Sequence, residues 1–349
     1  MKSVAMKKVI VNKAGSIKAK LLNLARAQRI DFDALFLRYL QERFLYRLSN
    51  SPFASHFILK GGLLLIYLNV PQTRATKDID FLGVGVKNTP TEMKRIFARI
   101  AGVEYADGVR FDVHSITLEE IKPESEYVGI RLKIDAYLGK ARKRMQLDIG
   151  FGDVVWPKAK LMNLPALLPK SEPRIDPHTN TGRAFISTRL RRQKRLLSSS
   201  QTGSFGVGVK VYSIESIISE KFEAMVKLSL ANSRMKDFYD VYILSANHNF
   251  DSGNLGQAVK KTFKRRATQL DNKSLIFRPQ FRNDKGRQKQ WLAFLRKSRL
   301  DNAPNDFRKV MKRITVFLKP MTIAIINDTE TGKMWNMKTG RWKIGVSRK

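Results

Sequence analysis

The chain has 349 residues, 43% of them apolar, which is enough for one large core or two domains. It has four histidines and no cysteine, so disulfide scaffolds, zinc–thiolate sites and cysteine nucleophiles are excluded. The net charge is +36, from 66 Lys and Arg against 30 Asp and Glu, and residues 251–349 carry half of it with 25 basic and 7 acidic residues. A field of this size attracts polyanions, chiefly by releasing counterions from phosphates. Nucleic acid fits better than anionic lipid, because no strong basic amphipathic helix stands out. No segment reaches the ~20 uninterrupted apolar residues of a membrane span. The basic opening MKSVAMKKVIVNKAG has no apolar core of roughly 7–15 residues, so it does not read as a signal peptide. A soluble protein is expected, and the lack of cysteine fits a reducing cytoplasm.

Residues 16–50 read as two helices, the second rich in arginine and aromatics (Phe36, Tyr39, Phe44, Tyr46) and ended by the Ser-Asn-Ser-Pro turn at 49–52. Residues 57–155 alternate helix and strand signals, with VEYADGVRFDVHSITLEEI and YVGIRLKIDAYLG as hairpin-like strands, as in a mixed α/β catalytic domain. Within this region the stretch 59–81, LKGGLLLIYLNVPQTRATKDIDF, carries the chemistry. Gly61 and Gly62 open an apolar run of helix length, and glycines there let backbone N–H groups approach an anion. Asp78 and Asp80 flank Ile79 in an extended segment, so they share a face about 7 Å apart along the backbone. Two carboxylates held together repel unless a cation lies between them. Mg²⁺ suits such a pair, completing its shell with water and substrate phosphates. A turn and a solvated Asp-x-Asp are the plain alternatives. A third carboxylate, Asp148 in MQLDIGFGD, points away from the face that Leu147 and Ile149 bury, and could join the pair as general base. Asp153 reads as a strand-edge residue.

Residues 157–175 hold Pro157, Pro165, Pro169 and Pro173 and read as a connection. Residues 176–210 add a basic cluster and a Ser/Gly-rich stretch, either a surface loop or a nucleic-acid-binding arm that orders on contact. From Ser213 to Leu244 helical spacing returns, through Ile214, Ile217, Ile218, Phe222, Met225, Val226 and Leu230, with Ser213 and Glu215 suited to the first turn. Asp237 and Asp240 follow at i and i+3 on one helix face. Lys221 stands alone on a helix otherwise committed to the core, where a lysine ordinarily snorkels. The last stretch, MTIAIINDTETGKMWNMKTGRWKIGVSRK, has two Thr-Gly turns and reads as a small hairpin appendage. His56, His114, His178 and His248 lack ligand spacing, and Ser198, Ser199 and Ser200 read as loop.

Four segments in order, LKGG, RATKDIDFLG, LDIGFGD and SEKFEAMVKLSLANSRMKDFYDVYIL, resemble the nucleotidyltransferases of the AbiEii/AbiGii toxin family. These are bacterial abortive-infection and toxin–antitoxin enzymes with a DNA polymerase β-like core, and the likeness runs from about Ser16 to about Pro320. The resemblance implies an α+β fold, with a polymerase β-like core on a mixed sheet and a helical C-terminal domain. The corresponding division is 1–52, N-terminal helices; 53–156, catalytic core; 157–211, connection with insertion; 212–320, helical domain; 321–349, tail. It places Gly61 and Gly62 on phosphate, Asp78 and Asp80 on Mg²⁺ (or Mn²⁺), Asp148 at the third acidic position and Lys221 on the nucleotide triphosphate. Asp237 and Asp240 match its late Lys-Asp-x-x-Asp motif. Arg74 and Lys236 are expected as further nucleotide contacts, with a surface role as the alternative for Lys236 and Arg234. An NTP substrate, a tRNA 3′ end as acceptor and a separately encoded antitoxin are the implied partners. One departure is Leu63, where many relatives carry Thr or Ser after the glycines. That departure and the excess basic charge leave open a catalytically idle nucleic-acid-binding protein, and transfer to a protein hydroxyl is a third reading.

Overall fold

The computed structural model describes residues 12–68, 70, 74–121, 129–168, 207–329 and 332–344. Most of the expected insertion, with His178 and Ser198 to Ser200, lies outside the described residues.

Helix α1 (Lys13–Gln28) is capped by Asn12, whose side chain accepts from the Gly15 amide, and it ends on Arg29 in the left-handed region. Helix α2 (Phe32–Ser49) starts on the Asp31 cap and is buried along nearly its whole length, charged residues included. Buried Arg47 is tolerated because its guanidinium pairs with Asp107 at 2.8 Å and donates to the Val109 carbonyl. The apolar residues of α2 belong to the main core.

That core lies under a seven-stranded sheet formed by β1 (Phe57–Lys60), β2 (Asp78–Gly83), β3 (Val109–Ile121), β4 (Gly129–Leu138), β5 (Ala141–Phe151), β6 (Lys160–Leu164) and β7 (Val207–Val211). The strand order is β3-β4-β5-β2-β1-β7-β6. The pairs β2/β5 and β1/β7 are parallel and the remainder antiparallel, so the sheet is mixed and the fold is α+β. The stretch 157–211, expected as a connection, therefore supplies two strands of this sheet. Side chains alternate across each strand. One face carries Ile79, Phe81, Leu132, Ile134, Leu147 and Ile149, all fully buried. It packs on α2 and α4 (Pro90–Ala101), where Phe44, Phe57, Phe81 and Phe97 meet at ring separations of 4.9–6.4 Å. The other face is polar and half-open, and the short helix α3 (Gly61–Tyr67) enters it directly from β1.

The C-terminal half is helical: α5 (Ile214–Leu228), α6 (Met235–Asn247), α7 (Ser252–Arg265), α8 (Pro279–Asn283), α9 (Lys285–Ser298) and α10 (Phe307–Ile326). An end at Pro320 is not observed, since α10 runs through it. The proline deprives the Val316 carbonyl of its helical donor, and Val316 is 40% exposed, so water can replace that bond. The tail is a hairpin, β9 (Lys333–Asn336) and β10 (Arg341–Ile344), joined to β8 (Phe250–Asp251). It is docked rather than appended. Trp335 is fully buried, its indole N–H donates to the Ser245 carbonyl at 2.7 Å, and its ring lies 4.7 Å from Phe317. Among the described residues no helix is long and apolar enough to cross a membrane.

Candidate active site

The strand register sets one charged row across the polar face. Lys60 pairs with Asp80, Asp80 with Asp148, Asp148 with Arg131, and Arg131 with Glu119, so five adjacent strands each contribute one ionisable side chain. Asp78, two residues before Asp80 on the same face, pairs with Gln146 in the next row. Asp78, Asp80 and Asp148 thereby bring one carboxylate oxygen each within 4.8 Å of one another. Burial, reinforced by the Asp78 charge, pushes the Asp80 carboxyl up to about 6. The neighbours are oriented by neutral or cationic donors. The Thr76 hydroxyl donates to Asp78 at 2.6 Å, and Arg131 grips Asp148 with two bonds of 2.9 and 2.7 Å while Gln146 donates to it at 3.1 Å. Three hard oxygen donors on rigid strands, unable to neutralise one another, fit a divalent cation such as Mg²⁺.

Gly61 follows Lys60 at the first residue of α3 with φ +70°. A Cβ there would sit 1.8 Å from Asp80 Oδ2, so the glycine is what lets the helix start against the carboxylate. Gly62 has no positive φ, and its α-hydrogen side faces Thr76 and Arg74, with a Cβ meeting them at 3.0 and 3.3 Å. Leu63 is fully buried, so at that position the chain offers apolar packing rather than a hydroxyl.

Helices α5 and α6 form the facing wall. Ser213 caps α5 by accepting from the Ser216 amide, and Lys221 then projects from its middle turn toward α6. Its ammonium bridges Asp237 and Asp240, at 2.8 Å each. Burial opposes charge on Lys221 and on Asp237. The two carboxylates outweigh it at Lys221, which is held above the ordinary lysine range, and Lys221 with Arg234 outweighs it at Asp237, which is held below the usual carboxylate range. Arg74 reaches Asp240 at 3.3 Å, and Arg234 reaches Asp237 at 2.6 Å while remaining half exposed. Lys236 lines the same cleft, and its charge acts on Asp80. Asp237 itself is fully buried, so it holds cations at the cleft instead of facing open space.

Sequence reasoning missed a second group of charges. Asp153 is not a strand-edge carboxylate. It lies between Lys60 (3.0 Å) and Arg266 (2.9 Å), and Lys60 also contacts Glu220 at 2.8 Å. Burial alone would raise the Asp153 carboxyl, but Lys60 and Arg266 overcome it and hold the group at about 2. Lys60 is the one residue here with a local signal, since it immediately precedes the glycines. Arg131 belongs to an alternating strand, but only the register reveals its partner. Of the charged groups named for this site, all but Asp78, Glu119, Arg131 and Asp240 line one cleft of about 340 Å³.

Comparison with known proteins places this geometry. A family model described as the nucleotidyl transferase AbiEii toxin of type IV toxin–antitoxin systems matches residues 43–313. The crystal structure of JHP933 from Helicobacter pylori is similar at 16% identity, covering 85% of this chain and 95% of its own, with a TM-score of 0.44. A crystal structure of a candidate nucleotidyltransferase from H. pylori is similar at 15% identity, covering 86% of this chain and 100% of its own, with a TM-score of 0.43. No match was found among curated proteins. The family match spans the carboxylate row, the glycines and the Lys221 wall together, and the chain therefore belongs to the AbiEii family of nucleotidyltransferase toxins.

Proposed function

We propose that this nucleotidyltransferase moves a nucleoside monophosphate from an NTP to a hydroxyl at an RNA 3′ end, with Mg²⁺ held by Asp78, Asp80 and Asp148. The observation that carries the reading is the convergence of three strand carboxylates within 4.8 Å, in a chain whose net charge is +36. An acidic cluster in so basic a protein suits a cation that accompanies a polyanion. When bound, the ion would polarise the transferring phosphoryl group and lower the pKa of the attacking hydroxyl.

The chain's own residues divide the remaining work. Gly61 and Gly62 let backbone approach the triphosphate, while Arg74, Lys221 and Lys236 supply positive charge where charge accumulates in the transfer. Asp237 and Asp240 are positioning residues for Lys221, fixing an ammonium that would otherwise sample many rotamers. Asp148 stands beside the pair as the acceptor of the hydroxyl proton, with Arg131 orienting its oxygens. The α-phosphorus–oxygen bond to the acceptor forms as the bond to pyrophosphate breaks. The basic C-terminal half, with 25 basic and 7 acidic residues in 251–349, suits an RNA backbone, and the family implies an antitoxin partner.

Incubation of the protein with each labelled NTP, Mg²⁺ and total tRNA tests this reading. Label should enter RNA with wild type and not with Asp80→Ala. Equal transfer by both would refute the site assignment, label in protein with RNA omitted would redirect the acceptor, and no label with any NTP would favour the idle binding protein.

A further inference from the structure

In the row next to the charged one, on the same sheet face, two adjacent strands carry glycine between Leu82 on β2 and Ile121 on β3. Gly150 lies two residues beyond Asp148 on β5, on the same face and about 6.6 Å along the strand. Gly129 lies two residues before Arg131 on β4. Because Ile130 pairs with Ile149, Gly129 falls opposite Gly150, and Ile121 on β3 pairs with Gly129. Gly129, Gly150 and Ile121 all line the cleft that also holds Gly61, Asp80 and Lys221, and α5 faces them with Ile217 and Ala224.

Glycine inside a strand usually answers a backbone or packing demand. Neither demand operates at Gly150. Its φ is not positive, and a Cβ there would meet nothing closer than the Phe81 carbonyl at 3.9 Å and Asp153 Oδ2 at 4.0 Å, both ordinary contacts. Gly129 is tighter, with 3.3 Å to the Ile149 carbonyl, and it too lacks a positive φ. The fold would tolerate a side chain at Gly150, and a strand would gain from one, yet the space above it is left free. The result is a flat backbone floor two strands wide, edged by Ile121 on one side and Leu82 on the other and starting one side-chain row from the carboxylates.

We infer that this floor seats the nucleobase of the incoming nucleotide, with Gly150 as the residue that admits it. This rests on the nucleotidyl-transfer reading of the neighbouring carboxylates. The triphosphate is directed toward Gly61 and Lys221, and a ribose bridges the step from the carboxylate row to the floor. A planar ring there stacks against peptide planes between the Ile121 and Leu82 side chains, with no side chain rising from the two glycines themselves. The contact is to the ring face, so it selects for a base over none rather than among bases.

The test is calorimetric titration of the full chain with the Mg²⁺ complexes of ATP, CTP, GTP and UTP and with inorganic tripolyphosphate. It compares wild type, Gly150→Ala and Gly150→Val. Wild type should bind at least one NTP about tenfold more tightly than tripolyphosphate, and Gly150→Val should erase that preference by about tenfold, the scale a misplaced methylene costs in a pocket. Tripolyphosphate affinity should stay unchanged, and the melting temperature of Gly150→Ala should be unchanged or higher, since Ala replaces Gly in a strand without strain. Affinity falling while stability holds is a combination that a purely structural glycine does not give. Unchanged NTP preference in both variants overturns the inference, as does equal loss of NTP and tripolyphosphate binding in a folded variant. If Gly150→Val does not fold, Gly150→Ala decides. Wild type that binds neither NTP nor tripolyphosphate overturns the nucleotidyl-transfer reading itself, and the inference with it.

Discussion

Replacing Gly61 by alanine tests the link between backbone and carboxylates. Two costs add. Alanine at φ +70° is held in the left-handed region, which costs roughly 1–2 kcal/mol. Its Cβ would also begin 1.8 Å from Asp80 Oδ2, and contacts under 3.0 Å are not sustained, so the carboxylate and the helix start must separate by more than 1 Å. A misplacement of about 1 Å at a reacting centre can cost about 10²-fold in rate. The variant should therefore lose roughly 1–3 kcal/mol of stability and about a hundredfold in label transfer. Gly62→Ala is the matched control. Its φ is ordinary and its new Cβ meets the ends of Thr76 and Arg74 at 3.0 and 3.3 Å, so it should lose less than about 1 kcal/mol. Denaturant unfolding and single-turnover transfer, measured side by side, read both quantities. Wild-type transfer by Gly61→Ala, or equal damage by the two variants, would refute the reasoning.

Three further outcomes are expected. Asp80→Asn should raise the melting temperature in EDTA while abolishing transfer, because unit charges within 4.8 Å of one another repel by roughly 3.5 kcal/mol at an effective dielectric of 20. Mg²⁺ should stabilise wild type more than the variant, and equal stabilisation would count against a cation at this site. Asp153 lies near 2 in the folded protein against an ordinary 3.8, so its pairing contributes on the order of 2 kcal/mol. A lowered carboxyl stabilises above its unfolded pKa, and the contribution is lost as pH falls from about 4 toward 2. The stability gap between wild type and Asp153→Asn should close over that window, and a gap independent of pH would contradict the pairing. Trp335→Ala should cost roughly 3–5 kcal/mol, as a fully buried tryptophan does, and an unaltered unfolding midpoint would show that the tail is not docked.

The carboxylate row was partly legible because strand alternation fixes which side chains share a face, whatever the neighbouring strands are. Asp78 and Asp80 needed only that rule, and Asp148 needed its apolar flanks. Asp153 was misread because its partners lie 93 and 113 positions away, and local sequence carries no trace of them. Arg131 was overlooked for a related reason: a cation on an alternating strand looks solvated until the register sets a carboxylate opposite it. The helical half was readable from its spacing, but the end of α10 was not, since Pro320 marks a break only where its orphaned carbonyl cannot reach water. Strands β6 and β7 escaped notice because proline signals surround the first and the Ser/Gly-rich stretch runs into the second.

Leu164 closes β6 directly beside Val207, which opens β7. The chain thus departs from the sheet edge and rejoins it at a single rung of the ladder, however many residues intervene. A two-residue turn could bridge that gap in principle, because antiparallel neighbours need no more. Leu167, just past β6, is still tied to the core by its amide on Glu42, but the strand pairing that positions the carboxylates, four strands and fewer away, sets no length for the chain that follows.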